Sequence, residues 1–415
     1  MKVLAYTSPA RGHLNPIMPP LLELARRGVE IHVRTISSSV DGVRAEGLEA
    51  EPIDPRIEAI EIDDHAQGSQ IKRAQRAYAV WAERAALEPS DVGKAIAAIE
   101  PDVLLIDTNT FGARAEAERS GLPWAEFRPF LLEDPAPGKP PFGLGLAPRD
   151  DLVGKVRDAI AHRIAAKFGR DHILPTINAG RRAAGLDELG TLEVALRRAP
   201  LTVYFTAEPF EYPRPALPGV VAVGPCPWEP EQELDAELDG RPLVLVTCSS
   251  EFQDDADIAR AALAGLAADY QVVVTSAGVD PATLPAPDGA IVRRFLPHSK
   301  LLERASTVVC HGGMGITQKA LSYGVPTVVV PWGRDQLDVA AHVEHAEAGA
   351  VVPRKKLSGA AIAAAVAKAE SRRAGAERVA QGYRRAGGAA RAADAIEELA
   401  GRPAGAAAAA RTEPA

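Results

Sequence analysis

His311-Gly312-Gly313-Met314-Gly315-Ile316-Thr317-Gln318-Lys319-Ala320 is the stretch on which the fold turns. A short apolar run, 308–310, delivers the chain to it. A helical pattern then runs through Ala320 and stops at Gly324, and an apolar strand resumes over 326–331. Strand, glycine turn, helix, strand is a βαβ unit. The glycines let backbone N–H groups approach a ligand closely, and the helix opens with unpaired N–H groups and the positive end of its dipole. Such a site suits an anion, a diphosphate above all. His311 can donate to a phosphate oxygen, the amides of Gly313, Met314, Gly315 and Ile316 can do the same, and Thr317 offers a hydroxyl. A bare Gly-Gly serves the sterics of a turn as well as it serves a ligand. The continuation Tyr323-Gly324-Val325-Pro326 and Pro331-Trp332-Gly333-Arg334-Asp335-Gln336 shifts the balance toward the ligand.

Outward from there the pattern repeats. Strands are expected at 243–247, 271–275 and 290–293, with a helix over 256–268 after the polar loop Cys248-Ser249-Ser250-Glu251. The N-terminal half begins the same way: strand 3–6, a turn ending in Arg11-Gly12, helix 14–27 and strand 31–36, then a strand at 103–106 followed by a helix near 112–119. This alternation predicts an α/β protein of two doubly wound, Rossmann-like domains in tandem around an interdomain cleft. The expected division is 1–223, a Pro-rich acidic linker at 224–241, a second domain at 242–400 and a disordered tail at 401–415. Two stretches break the alternation: 70–87 is helical in pattern, and 130–151 is dense in Pro and Gly with Phe130, Phe142 and Leu144 interspersed. A long irregular insert with apolar residues suits the wall of a greasy pocket.

Composition narrows the function. The 415 residues carry a net charge of −8 and show no basic stripe, which disfavours nucleic acid or an anionic membrane as the main partner. Cys226, Cys248 and Cys310 form neither a metal motif nor a disulfide framework, and read as reduced thiols. No apolar run approaches a membrane span or a signal-peptide core, so a cytoplasmic location is expected.

The ordered motifs resemble the glycosyltransferases with two Rossmann-like domains, the GT-B fold, in the branch of UDP-glycosyltransferases and macrolide and enediyne antibiotic glycosyltransferases. Gly12-His13-Leu14-Asn15-Pro16 resembles the family's catalytic-histidine loop, 101–107 its strand ending in aspartate, Phe295-Leu296-Pro297-His298 its base-binding element, and 311–336 its donor signature. The resemblance implies that His13 is the general base toward an acceptor hydroxyl and that Asp107 orients it. It implies further that Ser249 and Ser250 contact phosphate, that Phe295 and Leu296 hold the nucleobase, and that Asp335 and Gln336 bind sugar hydroxyls. A histidine near pKa ~6.5 with a carboxylate behind it is chemically suited to this role. The implied reaction is inverting transfer from a UDP- or dTDP-sugar co-substrate to a small lipophilic natural product, of polyketide or aromatic type, without a metal or other cofactor. A homodimer is compatible with this.

Two positions depart from the family pattern. Lys319 stands where many members place a ribose-binding glutamate, and could contact phosphate instead; His298 stands where many have glutamine. A non-catalytic glycosyltransferase partner protein and a sugar-nucleotide epimerase stay open as alternatives, the first through Lys319 and the second through the shared two-domain fold. A nicotinamide oxidoreductase is disfavoured because no GxGxxG follows the first strand.

Overall fold

Period-two alternation decides each strand. Val3 and Ala5 turn to one face of the first sheet, Leu4 and Tyr6 to the other, and each set joins a different apolar cluster. The structure, a computed structural model, describes residues 1–64, 67–136, 138–249 and 255–401. Ser250 and the tail beyond residue 401 lie outside the described residues.

The first sheet contains β1 (Lys2–Tyr6), β2 (Glu30–Thr35), β3 (Glu49–Pro52), β4 (Val103–Asp107), β5 (Trp124–Arg128), β6 (Leu201–Tyr204) and β7 (Val220–Ala222). The second contains β8 (Leu243–Thr247), β9 (Gln271–Thr275), β10 (Ile291–Arg293), β11 (Ala305–Cys310), β12 (Thr327–Val329) and β13 (Gly349–Val351). The strand orders are β3-β2-β1-β4-β5-β6-β7 and β10-β9-β8-β11-β12-β13, and the pairings are parallel. Both orders reverse beside their first strand, between β1 and β4 and between β8 and β11. In doubly wound sheets the ligand crevice opens at the carboxyl ends of the strands at such a switch point.

The long helix expected over 14–27 is two helices, Arg11–Leu14 and Met18–Arg26, with Pro16 between them. A proline ring cannot continue the hydrogen-bond ladder. The alanine-rich C-terminal region forms three helices, Gly359–Ser371, Arg373–Ala386 and Gly388–Ala400, and Gly387 takes a φ of +93° between the last two. Glycine accepts that backbone at no steric cost.

One expectation needs correction. The sequence pattern places 388–400 in the second domain, but Ala392, Ala393, Ala395, Ile396 and Leu399 pack into the core of the first sheet, beside Leu21 and Leu24. The chain therefore crosses the cleft twice. On the outward crossing Val223 and Cys226 belong to the first core, while Leu234 and Leu238 lean on the second.

Ile396 is fully buried. Ile396→Ala should lower stability by about 2–5 kcal/mol, the usual cost of emptying a core site, as read by denaturant unfolding. A cost near zero would show that the returning helix is dispensable to the first domain.

Candidate active site at the two switch points

At the first switch point β1 and β4 run in register, with Tyr6 opposite Ile106. His13, one turn into the helix after β1, therefore meets Asp107 at the end of β4. His13 Nδ1 lies 2.9 Å from Asp107 Oδ1. Asp107 is fully buried, and its Oδ2 also accepts from Ser8 N at 2.8 Å and from Ser8 Oγ at 2.7 Å. The Asn109 amide N–H donates to Oδ1 at 3.0 Å. Burial alone would raise the Asp107 carboxyl. The His13 charge and hydrogen bond, with those from Asn109 and Ser8, outweigh it and hold the group below the usual carboxylate range. An anionic Asp107 fixes the His13 proton on Nδ1 and leaves Nε2 as the basic nitrogen. Asn109 Nδ2 lies 3.4 Å from that Nε2. The Phe130 ring stands edge-on to the imidazole at 5.8 Å, and the Arg128 guanidinium lies over Phe130.

At the second switch point β11 and β8 pair Cys310 with Thr247, so His311 and Ser249 emerge side by side. Asp255 joins them: its Oδ2 accepts from Ser249 N at 2.8 Å and lies 3.7 Å from His311 Nδ1. Gly312 has a φ of +92°, and a Cβ on Gly313 would stand 2.5 Å from His311 Nε2. Only glycine fits both constraints. The helix Met314–Ser322 then starts with Gly313 as its cap and no side-chain acceptor at its end. Gly315 is exposed and Ile316 half-buried there, while Met314 packs into the core.

The two halves meet. Gln318 Nε2 donates to Phe205 O at 3.0 Å, Arg334 pairs with the buried Asp64 at 3.0 Å, and Arg73 Nη1 donates to Trp332 O at 2.9 Å. Asp335 follows Arg334 at the start of the helix Gln336–His345, and its side chain makes no capping hydrogen bond there. Burial pushes its carboxyl up, and among the opposing charges are Arg334 and His13. Asp335 and His13 thus sense each other's charge. Gln336 Oε1 accepts from Trp332 N at 2.6 Å and Gly333 N at 2.9 Å, which makes it the brace of the loop that carries Asp335.

Several expected residues sit differently. Thr317 is fully buried with its hydroxyl 3.7 Å from Cys310 Sγ, so it faces the sheet rather than the turn. Lys319 does not reach toward phosphate. Its Nζ pairs with Glu229 Oε2 at 2.6 Å, and Glu229 also accepts from His298 N and Ser299 N at 3.1 and 2.6 Å. Burial, then the Lys319 charge, pushes the His298 imidazole down to about 4, against Glu229, and its Nε2 lies 2.9 Å from Thr275 Oγ1. Phe295 is 60% exposed, free to stack on a flat ligand, and Leu296 is buried behind it. Phe130 stands at His13 and, like Phe142, packs against the second core, while Leu144 is exposed. The segment between them is strapped down by Asp338, which accepts from Gly143 N and Gly145 N at 3.1 and 3.2 Å. Phe142 lines an open crevice of about 440 Å³ beside Tyr212 and His342, apart from His13.

Sequence reasoning missed Ser8, Asn109, Glu229 and Asp338. Asn109 was within reach, two residues after Asp107. Glu229 was not, because its partner is ninety positions away in the chain.

Similarity searches agree with this geometry. Residues 261–399 match the model of the erythromycin biosynthesis protein CIII-like C-terminal domain. Over 375 residues the chain is 31% identical to 4'-demethylrebeccamycin synthase of Lentzea aerocolonigenes, covering 86% of this chain and 89% of that protein. The chain belongs to the antibiotic glycosyltransferase family. Its fold is shared with the crystallised glycotransferase of kitacinnamycin (TM-score 0.73, 23% identity, 96% and 98% of the two chains). It is shared too with the glycosyltransferase VinC, crystallised with dTDP (TM-score 0.66, 20% identity, 96% and 99%). This glycosyltransferase therefore has the GT-B architecture of two facing parallel sheets. Among its described residues no helix is long and apolar enough to cross a membrane.

Behind the dyad lies a second buried carboxyl. Glu88 Oε2 accepts from Gly112 N at 2.7 Å and Ala113 N at 3.3 Å. Burial raises Glu88 to about 8, those N–H groups and Arg84 oppose it, and Asp107 adds to the rise. The sign follows from linkage. Between the unfolded carboxyl range near ~4.5 and about 8 the folded state keeps a proton that the unfolded state has lost, so this group makes stability fall as pH rises. Glu88→Gln keeps an oxygen for Gly112 N and should flatten that part of the stability profile in urea unfolding at pH 5 and 8. An unchanged slope would remove Glu88 as its source.

Proposed function

We propose that this glycosyltransferase moves a sugar from a dTDP- or UDP-sugar to a hydroxyl of a small lipophilic natural product, with inversion and with His13 as base. The observation that carries the reading is the His13–Asp107 pair at one switch point, set across the cleft from the His311–Gly313 turn at the other. The similarity to 4'-demethylrebeccamycin synthase and to VinC, crystallised with dTDP, supports this reading of the substrate classes.

The chemistry balances with the residues present. The acceptor oxygen forms its bond to the anomeric carbon as the bond from that carbon to the diphosphate breaks. The hydroxyl proton passes to His13 Nε2, and Asp107 stabilises the imidazolium that results. The diphosphate leaves with the bonding electron pair, and its growing charge meets His311 and the N–H groups at Gly315 and Ile316. Asp335 holds sugar hydroxyls, Phe295 stacks on the nucleobase, and Phe130 walls the acceptor side next to His13. The reading needs no divalent metal.

Turnover of dTDP- and UDP-sugars against a panel of aromatic and polyketide acceptors tests this, with the anomeric configuration of the product read by NMR. His13→Ala should lower kcat about 10²- to 10⁴-fold, the usual share of a general base, while nucleotide binding by calorimetry stays intact. Wild-type turnover in that variant would end the assignment of the base.

Gly313→Ala sets a methyl against His311 Nε2. It should weaken dTDP or UDP binding about 10- to 100-fold, as expected for displacing a hydrogen bond to a charged group. Chelation with EDTA should leave turnover unchanged, and a loss restored by Mg²⁺ would contradict the metal-free reading.

A further inference from the structure

Eleven large apolar side chains are substantially exposed among the described residues, and five of them lie on one helix. That helix, Leu152–Phe168, buries only Gly154, Asp158 and Ala161. Leu152, Val153, Val156, Ile160 and Ile164 are 53 to 76% exposed. Leu152, Val156, Ile160 and Ile164 recur every four residues, which sets them in one stripe about 18 Å long at 1.5 Å per residue. Single exposed leucines are ordinary; a contiguous stripe marks a surface that something covers.

The stripe is its own complement. Two copies crossing antiparallel about the point midway between Val156 and Ile160 set Leu152 against Ile164 and Val156 against Ile160. The ends match as well. Asp150 precedes the helix, is exposed, and has no ion-pair partner among the described residues. Arg163 stands exposed at the other end and likewise has no ion-pair partner among the described residues, while Lys167 and Arg170 pair with Asp171 of their own chain. Antiparallel pairing brings Asp150 of one copy within a helical turn of Arg163 of the other and opposes the two helix dipoles. Parallel pairing would gather like charges. An anionic bilayer is a poorer fit, because Asp150, Asp151 and a net charge of −8 would face it.

We infer that this glycosyltransferase self-associates as a two-fold dimer through the helix Leu152–Phe168, with a second copy of the chain covering the stripe. Such an interface uses the same patch on both subunits. One helix alone falls short of the roughly 800 Å² per partner of a standard interface. The contact continues onto the helix Leu192–Leu196, where Val194 is 49% exposed. Leu192 lies against Gly169 at the end of the stripe, 2.4 Å from where a Cβ would stand. The expected strength is on the order of micromolar, as for small interfaces.

Sedimentation of the full chain from about 1 to 100 µM, a span bracketing that strength, reads the proposal directly. The mass should rise from 43.8 kDa toward twice that value. Ile160→Glu should hold it at the monomer with an unchanged thermal midpoint, since the side chain is exposed. Asp150→Arg should weaken the dimer about tenfold, the cost of a 1.4 kcal/mol loss, and adding Arg163→Asp should restore it. A monomer at every concentration, or a dimer that survives Ile160→Glu, overturns the proposal. Failure of the double charge swap overturns the antiparallel arrangement. A chain that stays monomeric but binds phosphatidylglycerol vesicles, with Ile160→Glu abolishing the binding, assigns the stripe to a lipid surface instead.

Discussion

A single buried charge organises the first half of the cleft. Asp107 has no contact with solvent, yet it is held as an anion. An unpaired carboxylate at such a depth would cost several kcal/mol or take up a proton. Four donors prevent this: His13 Nδ1, Ser8 N, Ser8 Oγ and Asn109 N. Each comes from a segment that the β1–β4 pairing brings to the same end of the sheet. The strand register, the turn at Ser8 and the orientation of the imidazole are therefore one arrangement, and a slip of β1 against β4 would lose all of it.

The second half repeats the layout with a different electrostatic solution. Here the chain presents a helix start without a side-chain cap rather than a filled carboxylate, which suits the anionic ligand of the proposed function. Facing sites on two sheets are useful only if the sheets stay aligned, and the contacts between them are specific. Gln318 reaches Phe205, Arg334 reaches Asp64, and the strap at Gly143 and Gly145 is held by Asp338. The returning helix Gly388–Ala400 adds apolar burial in the first core. The halves are thereby joined by two covalent crossings and by polar contacts close to Asp335.

The sequence showed what is local. Hydrophobic alternation with glycine turns located the βαβ units, and the motif order located His13, Asp107, His311 and Asp335. It could not show what depends on distant partners. The helix Gly388–Ala400 has an apolar face that would suit either core, and only the geometry of the crossing assigns it to the first. The residues 130–151 read as the wall of a pocket because they are apolar and irregular, but composition does not say which neighbour absorbs the apolar groups. Phe130 and Phe142 both lean on the second core, and of the two it is Phe130 whose ring also meets His13. Thr317 illustrates the helical period: a hydroxyl near a glycine turn looks available, yet three residues past Met314 it shares the inward face and meets Cys310.

Lys319 shows why a charge cannot be interpreted from the helix that carries it. One turn below an anion site, a lysine suggests extra attraction for phosphate. Its partner, Glu229, comes from the segment between the sheets and cancels that charge at 2.6 Å, while also accepting the N–H groups that open the helix His298–Leu302. Burial lowers the lysine, the carboxylate opposes that, and Glu229 itself is held below its ordinary range by Lys319 and Ser299 against the cost of its own burial. The pair is thus close to neutral as seen from the cleft. The positive potential at the turn then comes from the backbone N–H groups that open the helix at Gly315 and Ile316, which are fixed in place. By joining the segment between the sheets to the helix Met314–Ser322, the same pair makes that helix part of the connection between the domains.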